Sequence, residues 1–265
     1  MQLTTAHRVY FWAVGLFALW VGVWGTFAPT EVARAIPWAV PPLHARFIGA
    51  LYGSAMLLLL GATRAKSVSE VRAIVPMATI WTGWLLIVSL LHLGEFNFAR
   101  PPVWFWFFAY IVYPVVGAWL AWRYRNERRP AHATPLPAWV TGFVALLAIV
   151  FTLLAVLLFI APAWMTTVWP WKIPAFLAQI YSGPFLALGV SAWVVARAAT
   201  WEQARLFVWA ITLLAVLVLV ASLLHRGLFA AGSVSTIVWF VGFGLTAVVL
   251  GTASVKAALS RGRVA

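Results

Sequence analysis

Apolar runs of about 20 residues, long enough for a helix rising about 1.5 Å per residue to cross the hydrocarbon core, alternate along the chain with short stretches that hold nearly all of its charge. They fall at 9–27, 44–63, 73–93, 103–122, 139–161, 175–196, 206–224 and 235–257. Each run predicts one spanning helix, so the expected fold is an all-α integral membrane protein with eight transmembrane helices. The first run follows the basic pair His7-Arg8 as a secretory leader would, but it is too long for a leader and has a counterpart inside the chain.

That counterpart belongs to a larger pattern. Sliding the chain by 133 positions, without a gap, brings Ala28-Pro29 onto Ala161-Pro162, Pro37-Trp38 onto Pro170-Trp171, Pro41 onto Pro174, Arg64 onto Arg197 and Arg72 onto Arg205. The run Ser89-Leu90-Leu91-His92 falls on Ser222-Leu223-Leu224-His225, and Trp106-Phe107 on Trp239-Phe240. Shared apolar composition would match Leu with Val; it would not align proline, tryptophan, arginine and histidine. The expected organisation is two tandem four-helix repeats, 1–123 and 138–265, joined by a polar linker at 124–137 that carries Arg125, Glu127, Arg128, Arg129 and three prolines. An even number of crossings per repeat gives both copies the same orientation, with any pseudo-twofold axis along the membrane normal.

Smaller features fit this plan. Ser67 and Glu70 have the spacing of a capping box, in which hydroxyl and carboxylate satisfy the orphan amides of a helix start, and Thr200 and Gln203 repeat it. Gly49 and Gly53, four apart, allow a neighbouring backbone to approach closely. Pro114 lies in the middle of the fourth run, where its missing donor predicts a kink. The connections 28–42 and 161–173 are apolar, rich in proline and carry Trp38, Trp164, Trp169 and Trp171. Their rings are expected at headgroup level, each loop lying as a lid over its own half.

Charge sets the orientation. Thirteen basic residues, among them Arg8, Arg64, Lys66, Arg72, Arg128, Arg205 and Lys256, fall on one side of the spans; Arg34, Arg46, Arg100, Lys172 and Arg226 fall on the other. The richer side is expected in the cytoplasm, with both termini. Arginine far exceeds lysine and alanine is abundant, as in a GC-rich bacterial genome, so the expected location is a bacterial cytoplasmic (inner) membrane. A formal charge of +13 does not point to nucleic acid, because the cations sit at helix ends and not on a solvated face. With 65% apolar and 9% charged residues, lipid is the only solvent that fits. Cysteine is absent, which excludes disulfides, thiolate metal sites, iron-sulfur clusters and a cysteine nucleophile.

Chemistry has few places to reside. No carboxylate lies inside a predicted span and no lysine lies mid-membrane, which leaves a carboxylate-driven proton carrier or a retinal Schiff base without residues. No phosphate-cradling loop, metalloprotease helix or nucleophile elbow is present. Polar residues of the sparsely charged rim belong mainly to the first half; in the second half His44 becomes Leu177, Arg46 becomes Gln179 and Glu95 becomes Leu228. His92 and Glu95 share a helix face, and His44 begins the adjacent helix at the same depth, so the three are candidate metal ligands. His92 and Glu95 alone could form an acid-base pair for a membrane enzyme. His92 and His225, at equal depth in the two halves, are candidate cofactor ligands holding a haem iron. The plainer alternative is that each histidine only ends its helix. With 18 Trp and 18 Phe, the rings suit a flat lipid-soluble ligand such as a quinone, a carotenoid or a lipid. Trp38, Glu95, Trp106, Trp171 and Trp239 are the candidate residues for it. The leading expectation is a non-enzymatic membrane protein that binds such a ligand, or joins a membrane-protein partner or a second copy of itself, through its aromatic outer half; membrane lipid is its constant partner.

Overall fold

A computed structural model describes residues 2–126 and 133–262. Glu127, Arg128 and Arg129 of the expected linker lie outside them. Among the described residues there are ten α-helices: α1 (Thr5–Phe27), α2 (Pro29–Ala35), α3 (Pro42–Ala62), α4 (Ile74–Leu91), α5 (Pro101–Arg123), α6 (Ala138–Ile160), α7 (Pro162–Val168), α8 (Ala175–Ala198), α9 (Trp201–Leu224) and α10 (Val234–Gly262). Eight are long and apolar enough to cross a bilayer, α4 together with the 3-10 turn Val68–Val71 that leads into it, so this is a polytopic membrane protein. No strand occurs among the described residues.

The short helices α2 and α7 are the departure from the sequence expectation. Each starts on a proline at its first position, where the missing N–H is not needed, and each is followed by a non-helical stretch leading into α3 or α8. The indoles of those stretches are not spread at the surface: Trp38, Trp169 and Trp171 are buried, and only Trp164 of the four is exposed. Nor does each loop cover only its own half. Trp38 meets Phe176 at 5.4 Å, while Trp171 meets Phe47 at 5.4 Å and His44 at 6.2 Å. Packing ring against ring removes more apolar surface than lying at the interface does, so the loops fold inward.

The packing order is simple. α3 and α8 are the most enclosed helices; α1 packs along α3, α6 along α8, α4 against α8, and α9 against α3. The remaining two, α5 and α10, rest on α4 and α9 and touch α1 and α6 only sparsely. Where α1 crosses α3 the backbones meet through glycine. A Cβ on Gly49 would lie 2.5 Å from the Thr26 nitrogen, and one on Gly22 would lie 2.8 Å from the Gly53 nitrogen. This is the close approach that the Gly49 and Gly53 spacing predicts. Pro114 lies inside α5 as expected.

Many contacts recur at one spacing. Trp106 Nε1 donates to Ser89 Oγ at 3.0 Å, and Trp239 Nε1 to Ser222 Oγ at 3.0 Å. Gln2 bridges Ser67 and Pro135 bridges Thr200. The His92 imidazole bonds Gln179, and His225 bonds Arg46. Every pair differs from its counterpart by 133 (106 to 239, 2 to 135, 46 to 179).

At the end of the molecule that carries the termini, Glu70 performs two tasks. With Ser67 it closes the expected capping box, its Oε1 accepting the Ser67 amide at 3.1 Å, and its Oε2 pairs with Arg205 at 2.8 Å. The second box does not form: the Thr200 hydroxyl is buried with no partner among the described residues, Gln203 is buried, and Glu202 accepts the Thr134 amide at 3.0 Å instead. Glu70→Ala is expected to lower stability by about 2 kcal/mol, less than for a fully enclosed pair because the Arg205 side chain keeps 30% exposure. Glu70→Gln, which can still cap, should lose less. Thermal unfolding in mild detergent reads both, and an unchanged midpoint for Glu70→Ala would show that the pair contributes nothing.

Candidate functional site

The sparse packing of α5 on α1 leaves a cavity of about 590 Å³ in the half of the molecule that carries α2 and α7. Its walls are almost wholly apolar. α1 supplies Phe17 and Trp20, α5 supplies Phe105 and Trp106, the α2–α3 stretch supplies Trp38, and Tyr52 and Tyr181 form the inner wall. Trp20 and Phe105 of its wall are 41% and 52% exposed on the outer surface. α5 is fixed by its Trp106 to Ser89 hydrogen bond to α4; among the described residues no hydrogen bond ties it to α1, which it meets through Phe17 against Phe105 and Tyr113.

The few polar atoms of the wall are paired or poised. The hydroxyls of Tyr52 and Tyr110 bond one another, and Tyr181 Oη lies 2.7 Å from His44 Nδ1. Trp106 stacks on Tyr110 at 3.9 Å and meets Trp38 edge-on at 4.8 Å. The Trp38 indole N–H is buried with no acceptor among the described residues. Above the cavity, Arg100 at the α5 start donates to the Arg34 carbonyl of α2, and within α2 Arg34 pairs with Glu31 at 2.8 Å.

A second, smaller cavity of about 360 Å³ lies between α6 and α10. Phe143, Phe151, Phe185 and Phe243 line it with Trp169 and Trp239. The Trp169 N–H is likewise buried with no acceptor among the described residues.

Against these cavities the residues singled out in the sequence divide clearly. Trp38 and Trp106 line the larger cavity and Trp239 the smaller, whereas Trp171 is buried between the halves, 4.9 Å from the Trp239 ring, and lines neither. Glu95 stands exposed in a 3-10 turn and lines neither. Its side chain makes no hydrogen bond or ion pair with His92 among the described residues. His44 is buried against Tyr181, and among the described residues no three His, Asp or Glu side chains gather as a metal site, so His44, His92 and Glu95 do not form one cluster.

His92 and His225 each cap a helix, and each turns toward a helix of the other half. His92 Nε2 donates to Gln179 Oε1 at 2.5 Å, while His225 Nε2 accepts from Arg46 at 2.5 Å. The two Nε2 atoms thus play opposite hydrogen-bonding roles. A haem bound through both Nε2 atoms would require Gln179 and Arg46 to release them. Burial and, after it, the Arg46 charge press the His225 pKa below its ordinary 6.5. A depressed histidine contributes its stability above the unfolded value and loses it as pH falls. Stability is therefore expected to decline as pH drops below about 6.5, and His225→Gln should flatten that decline; identical pH profiles for the two proteins would contradict it.

Sequence reasoning did not find Phe17, Tyr52, Phe105 and Tyr181. The tyrosines carried a usable signal, as hydroxyl-bearing rings inside otherwise apolar runs. Comparison of the chain with family models, curated proteins and solved structures finds no match.

Proposed function

We propose that this polytopic membrane protein binds a lipid-soluble ligand with a flat or extended apolar body, of the quinone, carotenoid or lipid class, in the cleft between α1 and α5. The observation that carries the reading is that cleft. Its volume of about 590 Å³ is in the range of small-molecule sites, its wall is aromatic, and its mouth lies among exposed apolar side chains. The buried N–H of Trp38 and the hydroxyls of Tyr52 and Tyr181 supply the few polar groups that such sites use to fix orientation.

The same reading takes the two halves as tandem copies of one four-helix unit in the same orientation. The recurrence of the tryptophan-to-serine bonds, the terminal bridges and the crossed histidine bonds at a single spacing supports it. The excess of Arg and Lys at the end carrying the termini supports a cytoplasmic placement of that end, in a bacterial inner membrane. Labelling that reaches the 124–137 connection from outside the cell would reverse it.

The test of the ligand is direct. Protein purified in mild detergent is extracted into organic solvent, and the extract is examined by absorption and mass spectrometry. A guest is expected in stoichiometric amount from the parent protein, and in less than a tenth of that amount from Ala13→Trp, which fills the cleft from the α1 wall. A folded monomer that yields no guest and no partner would end the proposal.

A further inference from the structure

The walls of the two cavities correspond at a spacing of 133, and comparing them separates what packing requires from what it does not. Ala13 of the larger is matched by Leu146 of the smaller, Trp106 by Trp239 and Tyr113 by Thr246. Tyr52 and Tyr113 line the larger cavity, and the hydroxyls of Tyr10 and Tyr110 lie close enough to that of Tyr113 to interact with it electrostatically. The counterparts of Tyr10, Tyr52 and Tyr110 are the same ring without its oxygen: Phe143, Phe185 and Phe243. A Cβ on Gly117 would strike Thr79 Oγ1 and the Tyr10 hydroxyl, so this glycine leaves them room, whereas its counterpart is the buried Leu250. The second half therefore packs without these hydroxyls. Burying a hydroxyl in an apolar wall is costly unless it finds a partner, so packing does not explain why the first half keeps them.

Tyr113 is the phenol that the protein leaves open to a guest. Tyr52 and Tyr110 bond one another, but the Tyr113 hydroxyl, on a half-buried side chain, makes no hydrogen bond among the described residues. Its counterpart behaves differently: Thr246 donates to the Gly242 carbonyl of its own helix at 2.8 Å. Depth adds a second fact. Tyr113 follows Pro101, the first residue of α5, by roughly 18 Å at about 1.5 Å per residue, which is about halfway across a hydrocarbon core of about 30 Å.

Resting on the reading of this cleft as a ligand site, we infer that its ligand is a quinone or quinol, and that the Tyr113 hydroxyl selects it by a hydrogen bond to a ring oxygen. Depth decides among the lipid-soluble classes. The oxygens of phospholipids and sterols stay hydrated at the interface and do not descend to Tyr113, while a quinone ring is uncharged and weakly polar and enters the hydrocarbon with its oxygens. A carotene reaches the same depth but brings no oxygen. The flat ring also suits the aromatic walls that Phe17, Phe105 and Trp106 provide. In the smaller cavity, where Thr246 is bonded to its own helix, a quinone gains no such bond.

The test titrates the full-length purified protein in mild detergent with decylbenzoquinone or with decylbenzene, which has the same ring and tail without the oxygens. The thermal midpoint is followed against mole fraction in the micelle. The quinone is expected to bind about fivefold more tightly than the hydrocarbon, and Tyr113→Phe to remove that advantage while leaving decylbenzene unchanged. Tyr124→Phe, the same deletion at the other end of α5 and outside the cleft, should keep it. Ala13→Trp, which fills the cleft, should abolish the response to both probes and tests the site even if Tyr113→Phe fails to fold. Equal affinities for the two probes with no change in Tyr113→Phe, or equal losses in Tyr113→Phe and Tyr124→Phe, overturn the inference and leave the cleft as a site for any apolar body. No response to either probe, or an undiminished response in Ala13→Trp, overturns the reading beneath it as well.

Discussion

Gly49→Ala is expected to lower the stability of the protein by about 3 kcal/mol, a large effect for one added methyl group. The reason is the crossing of α1 and α3. The new carbon would sit 2.5 Å from the Thr26 nitrogen and 2.6 Å from the Gly25 carbonyl carbon, and both are backbone atoms that cannot rotate away. One helix must shift, and interiors packed at crystal density do not absorb such a shift locally. Gly142→Ala, where a Cβ would meet nothing within 4 Å, supplies the control and should stay within about 0.5 kcal/mol of the parent. Thermal unfolding in mild detergent separates them; equal midpoints would mean that the two backbones are not in contact. Because α1 carries Phe17 and Trp20 of the larger cleft, Gly49→Ala is also expected to reduce the amount of co-extracted ligand.

Trp239→Ala is expected to cost about 3–5 kcal/mol, the range for removing a large buried ring. Trp239 sits where the halves meet, its ring 4.6 Å from Phe243, 4.9 Å from Trp171, 5.4 Å from Trp169 and 5.6 Å from Phe47. Its N–H closes the 3.0 Å bond to Ser222 that attaches α10 to α9. Trp239→Phe removes the donor together with part of the bicyclic ring, so its cost should exceed the about 1 kcal/mol expected of Ser222→Ala, which deletes the bond alone. The double variant should cost less than the sum of the two, since both delete one bond. Full additivity of Trp239→Phe and Ser222→Ala would argue that the bond is not formed in the membrane.

The eight spans were legible because lipid leaves one solution for a long apolar segment: its backbone must bond internally, so length and composition alone suffice. Their edges shifted by a few residues, as at α9, which starts at Trp201 where the apolar run begins at 206, because Glu202 accepts the Thr134 amide and the helix continues past it. The lids were not legible. Apolar tryptophans such as Trp38 and Trp171 satisfy an interfacial position and a buried one equally well by composition, and only the crossing between halves decides. The metal triad failed for a similar reason. Equal depth put His44, His92 and Glu95 in one layer, but rotation about each helix axis, which a single sequence does not fix, turned His44 inward to Tyr181 and left Glu95 outside. The histidines, aligned by the recurrence, engage Gln179 and Arg46, two residues that the sequence comparison paired only as a substitution. Phe17 and Trp20 belong to the cleft for a reason no composition reveals, the loose seating of α5 beside α1.

That loose seating has a thermodynamic corollary. A ligand bound there as proposed would come from the hydrocarbon phase, so its occupancy would follow mole fraction in the lipid and not molarity in the buffer. Diluting the protein with empty vesicles should deplete the guest even at constant aqueous concentration, and more hydrophobic homologues should gain little, since both of their reservoirs are already oily.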